Sequence, residues 1–246
     1  MNKALDKQNL RLAKVYDFCK SGAPKLTVVF IHGIAASSAS FNGLLGYLEN
    51  KESMAETRFV AFDLLGAGKS YASDELNYDF KEQLDALSNS IKELDVKTPL
   101  IIIAHSMGTM IAARYAVLHR SSVDGLILVS PPIYCKEDIE NPMFGKAMDG
   151  FREIVAHKNR EVVKTKAFNN EIDLIISDSK NYDYFVKLAQ PTTIIYGELD
   201  TFIAPFNIPR LLKENPDIAT IKTPGSHGVT RDKYAKVLET LEKLRK

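Results

Sequence analysis

Two cysteines, almost no net charge and no apolar run long enough to cross a bilayer are the first constraints in this 246-residue sequence. Cys19 and Cys135 lie far apart and match no metal-ligand spacing, which argues against a disulfide scaffold and for free thiols in a reducing, cytoplasmic setting. Lys+Arg at 32 against Asp+Glu at 31 leave a formal charge of +1, so nucleic acid and anionic membrane have no electrostatic claim as main partners. The clearly apolar stretches, such as 100–104, fall far short of the ~20 residues that a membrane-spanning helix needs. Residues 1–9 hold no apolar segment of the secretory-signal kind. What is present, 45% hydrophobic and 26% charged residues, is the composition of an ordinary globular chain, and the length suits one α/β domain.

Along the chain, short apolar β-branched runs alternate with segments of helical spacing, which predicts a mostly parallel sheet covered on both faces. Strands are expected over 10–18, 26–31, 58–62, 100–104, 125–129, 192–196 and 219–222. The first is expected to form a hairpin closed by the turn Ser21-Gly22-Ala23-Pro24. Helices are expected over 41–49, 78–94, 107–118, 208–214 and from 231 onward; the second carries Phe80, Leu84, Leu87, Ile91 and Leu94 on one stripe. Between 133 and 190 the rhythm breaks into amphipathic helical sequence with no strong strand, an interval too long for an ordinary crossover. We read it as a helical cap, with residues 1–132 and 191–246 forming the core.

Ser106 follows the buried run 101–104 and opens the Ala-rich helix 107–118. A serine at such a turn stands above the sheet at a helix N-terminus, where N–H groups and the dipole favour negative charge. Its flanking residues must be small for strand and helix to pack, and Ala104 and Gly108 are. A serine there also suits a plain N-cap, so the pentapeptide alone leaves both readings open. Further positions weigh for a nucleophile. His32-Gly33 ends one strand and leads into the small-residue loop Ile34-Ala35-Ala36-Ser37-Ser38, so the N–H groups of Ile34 and Met107 are the candidate oxyanion hole. His32 is expected to brace that loop, and His105 to be a structural or pocket-wall residue. His227, in Pro224-Gly225-Ser226-His227-Gly228 before the last helix, is the candidate general base. Asp200, in the turn after 192–196, is the candidate acid, with Glu198 as a possible substitute. The order Ser, Asp, His differs from that of chymotrypsin-like and subtilisin-like enzymes.

With His32-Gly33, the segment Asp63-Leu64-Leu65-Gly66-Ala67-Gly68-Lys69-Ser70, the elbow 104–108, the turn 197–200 and His227 in hand, the chain resembles the α/β-hydrolases, and among them the lid-containing monomeric serine esterases. The resemblance implies an eight-stranded sheet with the cap inserted after the sixth strand. It implies a carboxylesterase acting on small or medium acyl esters through an acyl-enzyme, with no metal or organic cofactor. The same fold also serves C–C bond hydrolases, a menaquinone-pathway lyase, lactonases, aminopeptidases and non-catalytic binding proteins. A serine at the nucleophile position argues against the haloalkane dehalogenases and epoxide hydrolases that share it.

Gly66-Ala67-Gly68-Lys69-Ser70 looks like the end of a phosphate-binding loop, but Asp63 occupies the position of its first glycine and no helix opens after it, so nucleotide binding is not expected. The expected partner is a small ester-like substrate, bound by a monomer or homodimer. Met143, Phe144, Met148, Phe151, Phe168, Tyr182, Tyr184 and Phe185 are the apolar supply of the cap. Arg114, Arg152 and Arg160 are candidate carboxylate binders but read first as solvated helix residues.

Overall fold

The computed structural model describes residues 9–158, 162–178, 180–200 and 202–245. Seven strands, Ala13–Phe18 (β1), Leu26–Ile31 (β2), Thr57–Asp63 (β3), Leu100–His105 (β4), Gly125–Val129 (β5), Thr192–Gly197 (β6) and Ile218–Thr223 (β7), lie in the order β1-β3-β2-β4-β5-β6-β7. Only β1 runs antiparallel to its neighbour; the other pairings are parallel.

Side chains alternate across each strand, and the two sets enter separate cores. Leu26, Val28, Phe30, Ile101, Ile103, Ile127 and Val129 point to the face covered by helices Asn42–Glu49 (α1) and Arg231–Leu244 (α9). Val29, Ile31, Ile102, Ala104, Leu126 and Leu128 point to the face covered by Phe80–Glu93 (α2), Met107–Leu118 (α3) and Ile208–Glu214 (α8). Burial on both sides explains why β2, β4 and β5 read as unbroken apolar runs. α2 starts where the sequence provides a cap: the Asp79 carboxylate accepts from Glu82 N–H at 2.8 Å, and Glu82 reaches back to accept from Tyr78 N–H at 2.8 Å.

The expected hairpin is corrected. β1 forms no hairpin with β2, because both edges of β2 are taken by the parallel strands β3 and β4; β1 instead returns to the outer edge of β3. The described residues hold seven strands rather than eight, so the helical interval follows the fifth strand. It comprises Lys136–Ile139 (α4), Pro142–Lys158 (α5), Thr165–Ser177 (α6) and Asn181–Val186 (α7). Among the described residues no helix is long and apolar enough to cross a membrane.

Arg114 is also not the solvated residue its helical position suggested. It is 3% exposed, donates to Asp178 at 2.6 Å and to the Asn181 side chain, and its guanidinium lies 3.7 Å from the Phe80 ring centroid and 4.4 Å from that of Tyr184. This cation is spent on tying α3 to the segment around α7, with α2 stacked on its other face. Arg152 is paired to Asp173 on the surface. Arg160 and the side chain of Phe151 lie outside the described residues.

On α6, Ala167, Phe168, Ile172 and Ile175 form the buried stripe, and Glu171 is buried among them at 2% exposure, its Oε1 without a hydrogen-bond partner. Burial pushes this carboxyl up to about 8. The folded state therefore prefers the protonated acid: stability is highest below the ordinary value of 4.5 and falls as pH rises from there toward about 8. Glu171→Gln, a neutral isostere, is expected to raise unfolding free energy at pH 9 by about 1–3 kcal/mol and to change it little at pH 4. Urea titrations at the two pH values measure this; an equal effect at both would show that ionisation is not the cause.

Candidate active site

β4 ends in the middle of the sheet, and the chain turns at once into α3 through Ser106, whose φ is +50°. A non-glycine residue in this region carries strain that the surroundings must hold. They do so by close packing. A Cβ on Gly108 would lie 2.4 Å from the His32 carbonyl oxygen and 2.6 Å from that of Ile31, and one on Gly33 would lie 2.8 Å from Ser106 Cβ. α3 thus rests directly on the end of β2. Ser106 N–H donates to Val129 O at 3.0 Å, but its hydroxyl makes no capping bond to the helix it opens.

That hydroxyl faces a histidine. Ser106 Oγ and His227 Nε2 are 2.9 Å apart, and His227 Nδ1 is 2.9 Å and 3.1 Å from the two carboxylate oxygens of Asp200. With a carboxylate on Nδ1, that nitrogen carries the proton and Nε2 is free to accept from the serine. The Asp200 side chain is fully buried, and Phe202 N–H donates to its Oδ1 at 3.0 Å. Burial pushes this carboxyl up, yet the hydrogen bond and charge of His227, together with further hydrogen bonds including that from Phe202 N–H, outweigh it and hold the group below its usual range. Glu198 lies elsewhere, paired with Lys222 at 2.9 Å on the surface.

The loop after β2 flanks the serine. His32 is buried; its Nε2 accepts from Leu64 N–H at 2.9 Å, so Nδ1 carries the hydrogen and donates to Gly33 O at 2.8 Å. Burial lowers its pKa, so the ring is neutral and serves as a brace. Ile34 lines a cavity with Ser106 and His227. Met107 opens α3, so its N–H is among the first-turn donors without an intrahelical acceptor. Asp63 organises the glycine-rich turn: it accepts from Ser38 N–H at 2.7 Å and Lys69 N–H at 2.8 Å, and no helix follows before Phe80. That segment is a turn wrapped around a carboxylate, without a helix N-terminus to receive a phosphate.

The cavity over Ser106 measures only about 20 Å³ and is closed by Pro132, Tyr134 and Phe202 and by Met148 and Ile175 from α5 and α6. Among the described residues, of the apolar side chains expected to supply it, only Met148 lines it. Phe144 packs edge-on against Tyr134, Tyr184 lies on Arg114, Phe168, Tyr182 and Phe185 are buried, and Met143 is exposed. Tyr134, Ile175 and Phe202 were not singled out in the sequence. Phe202 follows Asp200 by two positions and meets the His227 ring edge-on, centroids 5.3 Å apart; its place in the Asp200 turn was the one signal of it in the sequence. A larger cleft of about 530 Å³, between the ends of α2 and α3, touches none of these residues.

Comparisons with known proteins agree with the architecture. Residues 27–178 match the family model of the alpha/beta hydrolase fold. A probable lysophospholipase of Arabidopsis thaliana, BODYGUARD 2, is 37% identical over 108 residues, which is 44% of this chain and 23% of the relative. The match thus spans about a quarter of that relative's length. A pimeloyl-[acyl-carrier protein] methyl ester esterase of Wigglesworthia glossinidia brevipalpis is 26% identical over 226 residues, covering 78% of this chain and 82% of the relative. A carboxylesterase structure from the thaumarchaeon Nitrososphaera gargenis superposes with a TM-score of 0.75 at 17% identity over 93% of each chain.

The elbow's tolerance can be measured. Gly108→Ala forces a methyl into the carbonyls of Ile31 and His32, neither of which is a flexible side chain. The expected cost is about 1–3 kcal/mol of unfolding free energy, read by urea denaturation. A substitution without cost would mean that α3 does not rest on β2 as described.

Proposed function

The chain belongs to the α/β-hydrolase fold family, and from that premise we propose that it is a serine hydrolase cleaving carboxylic esters with small or medium acyl groups. The observation that carries this reading is the continuous chain of contacts from Ser106 Oγ through His227 to Asp200, at 2.9 Å on each side of the imidazole. The names of two relatives, a methyl ester esterase and a probable lysophospholipase, describe ester substrates and support the same bond type.

In the proposed reaction Ser106 Oγ attacks the ester carbonyl as His227 Nε2 takes its proton, and Asp200 holds the imidazole in the accepting tautomer. The N–H groups of Ile34 and Met107 receive the oxyanion. Collapse expels the alcohol, which takes the proton from His227. Water then attacks the acyl-enzyme with His227 again as base, releasing the acid and restoring the serine. No step calls for a metal or an organic cofactor.

A space of about 20 Å³ holds one water, not an acyl chain. We therefore read α4–α7, residues 133–190, as a lid that shifts to admit substrate over the core formed by 1–132 and 191–246. The apolar lining favours an acyl group over a charged one. Arg114, one of the candidate carboxylate binders, is already engaged by Asp178 and Asn181 and does not line the cavity.

Ser106→Ala is expected to lower kcat on p-nitrophenyl esters by about 10³-fold or more without loss of the folded state by circular dichroism. Hydrolysis by that variant at the wild-type rate would remove Ser106 from the mechanism. A series of acyl lengths on the wild-type protein locates the preference. Fluorophosphonate labelling separates a competent hydrolase from a binding protein on the same fold, which would remain unlabelled.

A further inference from the structure

The base loop between β7 and α9 has glycines at 225 and 228, so the backbone around His227 is not stiff by its own chemistry. Its carbonyls are nevertheless gripped at three consecutive positions. Gly225 O accepts from Leu199 N–H at 3.1 Å, Ser226 O from the Lys233 ammonium at 2.6 Å, and His227 O from His105 Nε2 at 2.9 Å. Lys233, in the first turn of α9, is wholly buried, an unusual place for a lysine unless the ammonium has a fixed partner.

His105 is the less expected member. Its partner is a carbonyl, so Nε2 carries the ring hydrogen and donates. Nδ1 is then a bare lone pair, and it is buried with no hydrogen-bond partner. Burial, and after it the neighbouring His227, pull this imidazole down to about 3, so it stays neutral and cannot relay a proton. A residue selected only to fill the space would not leave a polar atom orphaned. The bond from Nε2 is what the ring supplies in return.

We propose that His105, assisted by Lys233, is a positioning residue that fixes the general base: its ring holds the main chain of His227 while the His227 ring holds the side chain of Ser106. The two contacts close a cycle, because residues 105 and 106 are adjacent at the elbow. The serine and its base are thereby set by one rigid strand end, independently of how the helical layer moves. This inference rests on the reading of His227 as the general base.

The test compares His105→Leu, which removes the donor at similar volume, with His105→Gln, whose amide can still reach the carbonyl. Three readouts are taken: kcat and KM on a p-nitrophenyl ester, the rate of fluorophosphonate labelling, and the low-field proton resonance of His227 Nδ1–H on Asp200 by NMR. Leu is expected to lower kcat and labelling by about 10²-fold, the scale of a ~1 Å displacement, with KM within about twofold. It should also broaden the resonance, while Gln restores at least about tenfold of the loss. Lys233→Met is expected to move the same readouts in the same direction. Equal losses for Leu and Gln, or kcat for Leu within twofold of wild type, would overturn the proposal. If Leu does not fold, His105→Asn, whose amide is one methylene shorter, takes its place with the same expectations. Failure of the wild-type protein to label or hydrolyse would sink the catalytic reading instead. The resonance would still report whether His105 orders His227.

Discussion

Everything at this site hangs on the close approach of α3 to the end of β2. The helix can come so near only because Gly108 presents no side chain to the carbonyls of Ile31 and His32. That approach leaves Ser106 at φ +50°, a conformation of order 1–3 kcal/mol above the ordinary regions that the packing on both sides holds in place. The sheet supplies the anchorage, since β4 lies at its centre with β2 and β5 paired on either side. A serine on an edge strand or a free loop would relax out of this geometry. Here it is confined by two cores, one on each face.

Around this fixed point the loops differ in how they are held. The loop after β2 is braced by the neutral ring of His32. The acid loop is locked to the base loop by contact of main chains: a Cβ on Gly197 would sit 2.0 Å from Gly225 O, and Leu199 N–H bonds to that same oxygen. The helical interval is tied by main chain at one end, where Gly68 N–H donates to Val162 O and Lys164 N–H to Gly66 O at 2.9 Å each, and by side chains at the other, through the Arg114 contacts with Asp178, Asn181 and Tyr184. Side-chain ties of this kind can be exchanged more readily than a glycine-tight backbone. The more exchangeable ties thus lie at the α7 end of the interval, a division that suits the lid motion proposed above.

This division also marks what the sequence could reveal. Strands buried on both faces announce themselves residue by residue, and β2 and β5 have the ends that composition suggests. That Ser106, Asp200 and His227 would meet was legible because each sits at a junction where element order restricts the possibilities. The partner of β1 was not legible, since nothing in residues 13–18 distinguishes pairing with β2 from pairing with β3. Arg114 was misleading because a charged residue in an amphipathic helix reads as solvated, and nothing in the sequence marked Glu171 or Lys233 as buried. What buries each is distant in sequence or silent in it. Arg114 finds its partners 64 and 67 positions away. The lid lining was only partly visible, because an apolar stripe does not say which of its members, Met148 and Ile175 here, reaches over the serine.

The charges near the site also follow from the proposed chemistry. During the reaction His227 becomes an imidazolium only while an oxyanion exists beside it, and both are accommodated next to a carboxylate already ionised at Asp200. A second positive ring nearby would oppose the first. His105, with its ring centroid 5.0 Å from that of His227, must therefore be neutral, as its burial makes it. Lys233, a buried cation that reaches this loop from α9, meets a main-chain carbonyl at 2.6 Å and sits 3.6 Å from the Asp232 carboxylate, so part of its field is spent before it reaches the imidazole. Positioning the base with neutral or compensated donors lets the loop be rigid without making proton transfer from Ser106 harder.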